Sequence, residues 1–141
     1  MDFDAFADLA EAIADSLPPK LLEGLSGGII IEKKTRRRSE DPPGVYLLGE
    51  YITEDYLGPL IAIYYGSFRR VFAGEPPEVW EEELRRTLLH EVRHHLEARA
   101  GVDDLGREDL EELARLWQEW LQGPGGKPSG SARERRGGGG E

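Results

Sequence analysis

Apolar residues recur at three- and four-residue intervals near both ends of the chain. In residues 2–16 this spacing predicts an amphipathic helix, with Asp2 as its N-cap and Pro18-Pro19 as its stop. In residues 107–122 it predicts a last helix, which ends before Gly123. The apolar face of that last helix comprises Leu110, Leu113, Ala114, Trp117 and Leu121.

Three runs between these helices predict strands. Residues 29–32 are rich in isoleucine, residues 45–51 are a weaker candidate, and residues 60–65 are the strongest because they are apolar and end at Gly66. A short helical turn is expected within residues 20–25, and a short helix or loop within residues 67–72.

A long helix is predicted to follow the strands. Pro76-Pro77 suits its first turn, and Gly101 is expected to cap its end. Apolar side chains cover much of its surface, as a buried helix requires: Leu84, Leu88, Leu89, Val92 and Leu96. Strands gathered before a buried helix indicate an α+β fold, with a small mixed sheet of about three strands packed against helices.

The 141 residues predict one domain, residues 1–122, and a tail. Residues 123–141 contain no large apolar side chain, so this tail is expected to be disordered. The chain has no cysteine, which excludes disulfides, cysteine-ligated zinc and thiol catalysis.

The formal net charge of −10 argues against nucleic acid as a partner. One basic run, residues 33–38, opposes this trend and is interpreted as a solvated loop or strand end. The first residues are acidic, unlike a signal peptide, and no apolar run approaches the ~20 residues that span a bilayer. We therefore expect a cytoplasmic protein without membrane or nucleic-acid partners, whose oligomeric state the sequence does not determine.

All three histidines of the chain lie in the stretch H-E-V-R-H-H at residues 90–95, which matches the zinc signature H-E-x-x-H. On a helix, His90 and His94 lie one turn apart on the same face, where two neutral imidazoles can bind one zinc ion. Glu91 projects about 100° away, so it can accept a proton from a metal-bound water without being a ligand. The pattern predicts His90 and His94 as metal ligands and Glu91 as the catalytic residue.

A catalytic zinc ion usually has three protein ligands, so a third is needed. His95 lies about 140° around the helix from His90, so we expect it to pack in the core or to hydrogen-bond to a metal ligand. Glu97 lies ~10 Å along the axis from His90, which favours a supporting hydrogen bond over ligation. Asp103 and Asp104 can fold back toward the metal, or can simply begin the next helix at its dipole-favoured end.

These motifs resemble those of very small bacterial zincin-like proteins, the minimal metallopeptidases. The resemblance covers about residues 3–105, and its specific part is H-E-x-x-H-H at residues 90–95 followed by G-x-x-D at residues 101–104. Less specific parts are the first helix leading into residues 17–19 and the strand and glycine segment at residues 61–68. The chain departs from the family pattern at residues 96–100, which add about one helical turn before G-x-x-D. It also lacks the methionine-containing turn of metzincins, because its only methionine is Met1.

The resemblance implies a zincin-like fold and zinc-dependent peptidase activity. It implies a ligand set and a base that match the motif: His90, His94 and Asp104 as ligands, and Glu91 as general base. Asp103 and Glu97 are the alternatives for the third ligand, since the extra helical turn changes the spacing.

In zincins, the strand before the active helix borders the cleft and pairs with extended peptide substrate. The resemblance gives this role to residues 60–65. Tyr64 or Tyr65 is then a candidate to stabilise an oxyanion, with core packing as the alternative for at least one of them.

Two classes of function fit these observations. The first is a zinc metallopeptidase that acts on a peptide or protein substrate in a shallow cleft. The second is a non-catalytic metal-binding or protein-interaction module on the same scaffold, because a motif and a fold do not by themselves establish activity. Hydrolysis of a non-peptide amide would use the same chemistry as the first.

Overall fold

The computed structural model describes residues 1–54, 56–102 and 105–123. Its elements are α1 (Phe3–Asp15), β1 (Gly28–Glu32), β2 (Gly49–Ile52), β3 (Leu60–Tyr64), α2 (Tyr65–Phe72), α3 (Pro77–Val102) and α4 (Arg107–Gln122). A 3-10 helix, Pro19–Leu22, connects α1 to β1. Helices and a three-stranded sheet in this order confirm the predicted α+β fold.

The sheet is mixed, with strand order β1-β3-β2. β1 pairs with β3 in parallel, so that Ile30 lies opposite Ala62. β2 pairs with β3 in antiparallel fashion, so that Tyr51 lies opposite Ile61. The central strand β3 is buried along its whole length, and β2 is an edge strand of the sheet.

The first and last helices lie where the apolar spacing predicts them. Asp2 caps α1, because its Oδ1 accepts a hydrogen bond from the backbone N–H of Ala5 at 2.8 Å. The helix ends at Asp15, before Pro18 and Pro19, and α4 occupies the predicted residues 107–122. The tail expected at residues 123–141 lies outside the described residues, apart from Gly123.

Two boundaries differ from the sequence expectation. β3 ends at Tyr64, and Tyr65 already begins α2, with Gly66 inside that helix. A Cβ atom at Gly66 would lie 2.6 Å from the backbone of Lys34 and of Thr35, so this glycine permits a close approach of two chain segments and does not end the strand. The second strand begins at Gly49, later than residue 45.

Gly101 does not cap α3, because the helix continues through it to Val102. Glycine caps act in a left-handed conformation with positive φ, and Gly101 is not among the glycines that adopt one. The intrinsic preference of glycine for caps is weak enough to be overridden by the rest of a 26-residue helix.

The main core lies between one face of the sheet and the helices. Its centre is an aromatic cluster in which the rings of Phe6 and Phe68 lie 4.9 Å apart, beside Trp80 on α3. Leu84, Leu88 and Val92 of α3 are fully buried in the same core. This burial fixes the rotation of α3 and determines which residues face outward.

Among the described residues, no helix is both long and apolar enough to cross a membrane.

Candidate active site

The rotation of α3 turns His90 and His94 toward a cleft beside the sheet. The Nε2 atoms of the two rings lie 3.1 Å apart, and the ring centroids lie 4.5 Å apart. The rings are nearly perpendicular, so they meet at one point and do not stack. The same helix face therefore presents two convergent imidazole nitrogens.

This separation fits a shared metal ion. Two nitrogens bound tetrahedrally to zinc at about 2.0–2.1 Å are about 3.3–3.4 Å apart. The observed 3.1 Å between the Nε2 atoms of His90 and His94 is close to that value. The pair therefore requires little side-chain movement to bind zinc.

Glu91 lies in the same cleft and is 4 % exposed. The cleft has a volume of about 410 Å³ and is bordered by α3, β2 and the loop before β2. Its lining residues are Arg38, Leu47, Gly49, Glu50, Tyr51, Thr53, His90, Glu91, His94 and Ala98. The two histidines and the carboxylate expected to act together are thus on one concave surface.

Glu97 lies beside His94 on the side away from His90. Its Oε1 is 3.6 Å from Nδ1 of His94, while Oε2 is 3.3 Å from Nε of Arg93. A carboxylate beside Nδ1 favours the tautomer that leaves Nε2 unprotonated and able to bind a metal. The arrangement suits Glu97 to orient His94, and it does not bring Glu97 to the Nε2 pair.

The described residues do not bring a third ligand to the histidine pair. In residues 1–54, 56–102 and 105–123, no group of three or more His, Asp or Glu side chains is placed to hold a metal ion. Asp103 and Asp104, the two aspartates expected to complete the site, lie outside these ranges.

His95 points away from His90 and His94 and is buried, with 1 % exposure. Its Nε2 lies 2.8 Å from the carbonyl oxygen of Glu23, and its Nδ1 lies 2.8 Å from the hydroxyl of Tyr51. A carbonyl oxygen only accepts, so Nε2 carries the proton and donates. In the neutral ring, the hydroxyl of Tyr51 therefore donates to Nδ1.

The strand beside the cleft is β2, not the strand proposed from the sequence. The resemblance predicts a free edge along residues 60–65, but β3 is paired with β1 on one side and β2 on the other. Its backbone groups are committed to the sheet and cannot bind another chain. The edge position belongs to β2, which packs against α3 through Gly49 and Tyr51.

Neither tyrosine proposed for the oxyanion lies in the cleft lining. The hydroxyl of Tyr64 donates to Oε1 of Glu50 at 2.8 Å. Burial, and to a smaller extent this hydrogen bond, raises the pKa of Tyr64 above its usual range. The hydroxyl of Tyr65 donates to the carbonyl of Met1 at 2.6 Å. Among the described residues, the tyrosine that lines the cleft is Tyr51. The weak strand signal at residues 45–51 is the sequence feature that could have indicated it.

The fold and the site define a class. A long buried helix with the H-E-x-x-H pattern, placed against a small mixed sheet whose edge strand borders a cleft, is the arrangement of a zincin-like metallopeptidase. The profile of the zincin-like metallopeptidase family matches residues 7–117. The chain therefore belongs to the zincin-like metallopeptidase family, as the resemblance at residues 90–104 predicts.

A solved structure is similar to this chain in sequence and fold. A conserved hypothetical protein from Thermo thermophilus is 35 % identical in sequence, with a TM-score of 0.65. The match covers 72 % of this chain and 100 % of that one. No curated protein matches the chain.

Proposed function

We propose that this protein is a zinc-dependent metallopeptidase. The observation that carries the proposal is the 3.1 Å approach of His90 Nε2 to His94 Nε2 in a cleft that also contains Glu91. Two imidazoles and a nearby carboxylate that can act as a base are the parts that zinc-dependent hydrolysis of a peptide bond requires.

His90 and His94 would hold the zinc ion, and we propose Asp104 as the third ligand, with Asp103 or Glu97 as alternatives. When bound, zinc polarises the scissile carbonyl and lowers the pKa of a water molecule. Glu97 would keep the ring of His94 in the orientation that presents Nε2.

Glu91 would move the proton. Its carboxylate lies in the cleft next to the histidine pair, so it can accept a proton from the attacking water and return it to the leaving amine. Burial keeps competing bulk water away from this carboxylate.

The backbone of β2 would hold the substrate. An extended peptide can add to the edge of the sheet through main-chain hydrogen bonds, and this binding does not depend on a deep side-chain pocket. The shallow cleft suits a flexible peptide segment of a substrate and not a rigid folded surface.

A second candidate is a non-catalytic metal-binding or protein-interaction module. It is favoured by one feature of the sequence: residues 96–100 add about one helical turn before G-x-x-D, which changes the spacing of the expected third ligand. The two candidates differ in what happens after metal binding, so an experiment must measure metal content and turnover separately.

The test is metal content by mass spectrometry, followed by cleavage of a peptide library. We expect about one zinc ion per chain, lost in His90→Ala and in His94→Ala, strongly weakened by whichever of Asp104→Ala and Asp103→Ala removes the third ligand, and weakened less by Glu97→Ala. Glu91→Gln should keep the zinc and lose at least about a hundredfold in cleavage rate. A protein that binds zinc through both histidines but cleaves no peptide would support the second candidate, and a protein that binds no zinc would contradict both.

A further inference from the structure

The basic run at residues 33–38 reaches the cleft with its last residue, Arg38. Most of the other positive charges in the run already have partners. Arg37 donates to the carbonyl oxygens of Pro42, Val45 and Asp41 at 3.1, 3.4 and 3.4 Å. Arg36 lies 3.6 Å from Glu50. These side chains fold the loop and anchor it to β2.

Arg38 is the member of this run that lines the cleft, together with His90, Glu91 and His94. Within the described part of the chain, its guanidinium has one ion-pair partner, Asp41, at 4.0 Å, which is the outer limit of such a pair. A guanidinium has five N–H donors in a planar fork that matches a carboxylate. Arg38 thus borders the cleft with a side chain that is 42 % exposed, and most of its N–H donors can reach a ligand.

The position of Arg38 relative to β2 is fixed. The backbone N–H of Leu47 donates to the carbonyl of Arg36 at 2.8 Å, which holds the loop beside the residues that lead into β2. Leu47, Gly49, Tyr51 and Thr53 then line the cleft in chain order. A peptide that follows the edge of β2 across the histidine pair therefore meets Arg38 at one end of its path.

We propose that Arg38 binds an acidic side chain of the substrate, so that the protein selects peptides with Asp or Glu on one side of the scissile bond. This inference rests on the proposed function. A paired guanidinium and carboxylate form two charge-assisted hydrogen bonds, which favour an acidic residue over a neutral one at that position.

A nucleic-acid strand is the competing occupant of a basic surface, and the structure disfavours it. Such strands stack their bases on open aromatic rings. The rings beside this run are already covered by the chain's own cations: Lys34 and Arg36 lie 5.8 Å from the centroid of Tyr64. Arg37 and Arg70 lie 6.0 and 5.7 Å from that of Tyr46.

The test is peptide binding to zinc-loaded Glu91→Gln protein, measured by fluorescence anisotropy at low salt. The labelled peptides are made in pairs that differ only in having Glu or Gln at one position. From pair to pair this position moves along the peptide, and all peptides are amidated at the C-terminus. We expect the Glu peptide to bind about tenfold more tightly at one register. Adding Arg38→Gln should abolish that preference, and Arg38→Lys should keep part of it. Arg69→Gln is the matched control, because Arg69 is an exposed arginine on α2 outside the cleft lining.

The outcomes separate the two proposals. An Arg38-dependent preference without cleavage by the wild-type protein would support this inference and contradict the peptidase. Cleavage by the wild-type protein without an acidic preference would support the peptidase and contradict this inference. Cleavage with an acidic preference that Arg38→Gln leaves intact would have the same meaning. Binding of neither peptide, or equal competition by a single-stranded oligonucleotide, would overturn the inference.

Discussion

The hydroxyl of Tyr51 on β2 lies 2.8 Å from Nδ1 of His95 on α3. This bond joins β2, the strand beside the cleft, to α3, the helix that carries His90 and His94. On α3 the bond is made by the residue directly after His94. Because the other ring nitrogen of His95 is bonded to the carbonyl of Glu23 at 2.8 Å, the imidazole connects three segments of the chain. The third histidine of the motif is therefore a structural link between the two walls of the site.

Replacing His95 should cost stability. His95→Phe fills a similar volume but removes both hydrogen bonds in a site that is 1 % exposed, so we expect a loss of about 2–4 kcal/mol in the free energy of unfolding. Tyr51→Phe removes one bond and should cost about 1–2 kcal/mol. Urea denaturation measures both. Tyr46→Phe is the control, because the hydroxyl of Tyr46 makes an exposed bond to Arg70. If all three variants were equally stable, the linking role would be wrong.

Glu97 should affect zinc affinity without determining whether zinc binds. Its carboxylate lies 3.6 Å from Nδ1 of His94, so Glu97→Gln should weaken zinc affinity by about 10- to 100-fold. His94→Ala should reduce it far more. Competition with a zinc-binding dye measures the affinities, and Glu81→Gln, a change earlier on the same helix, is the control. An effect of Glu97→Gln as large as that of His94→Ala would instead make Glu97 a direct ligand.

Tyr64 should make stability fall at alkaline pH. Burial and the bond to Glu50 raise the pKa of Tyr64 in the folded protein. Its contribution is therefore fully present below the unfolded pKa of about 10 and is lost as the pH rises through the folded value. Tyr64→Phe should unfold with a weaker dependence on pH above 10 than the wild-type protein. Thermal melts across that range test this, and identical profiles would contradict it.

The sequence predicted those parts of the fold that local signals determine. Asp2 and the proline pair fix the ends of α1, and the periodicity of Leu113 and its neighbours fixes α4. Strand order is a non-local property: nothing in residues 60–65 indicates that both of their edges are paired. The wrong choice of edge strand followed. Of the two alternatives for Tyr64 and Tyr65, the structure favours core packing, since both are buried.

The candidate site shows the same division. His90, Glu91 and His94 were predicted as site residues because their spacing on one helix is a local pattern, and the structure places all three in one cleft. Tyr51 and Arg38, which line the same cleft, were not predicted, because their place there depends on how distant segments of the chain pack. Tyr51, for example, contacts His95, 44 positions later in the chain. Gly101 shows a further limit, since a glycine can be read as a cap from its identity alone while the helix continues through it.

Gly101 offers a direct test of that correction. It is helical, and no atom of the described residues lies within 4 Å of a Cβ atom added there. Gly101→Ala should therefore stabilise the protein by about 0.5–1 kcal/mol, since alanine is the better helix former. A glycine that capped the helix with positive φ would give the opposite sign. Chemical denaturation measures the difference, and a clear destabilisation would restore the cap.

At Gly49 the backbone of β2 approaches α3 closely, so substitution of this glycine should disturb the cleft. A Cβ atom there would lie 2.8 Å from Cγ2 of Thr87 and 3.1 Å from Cδ1 of Ile63. Thr87 cannot easily turn away, because its Oγ1 donates to the carbonyl of Glu83 at 2.9 Å inside the core. We therefore expect Gly49→Ala to destabilise the protein by about 1–3 kcal/mol.

The clash can be relieved from the helix side. Thr87→Ser keeps the hydroxyl and its bond to Glu83 but removes the methyl group that a Cβ atom at residue 49 would strike. In the double variant, part of the loss caused by Gly49→Ala should return, giving a coupling energy of at least about 0.5 kcal/mol between the two positions. Additive losses would mean that β2 moves away from α3 when residue 49 grows. In that case zinc binding by His90 and His94 should survive, while peptide binding along β2 should weaken. The reason is that β2 and these two histidines would then no longer share one cleft.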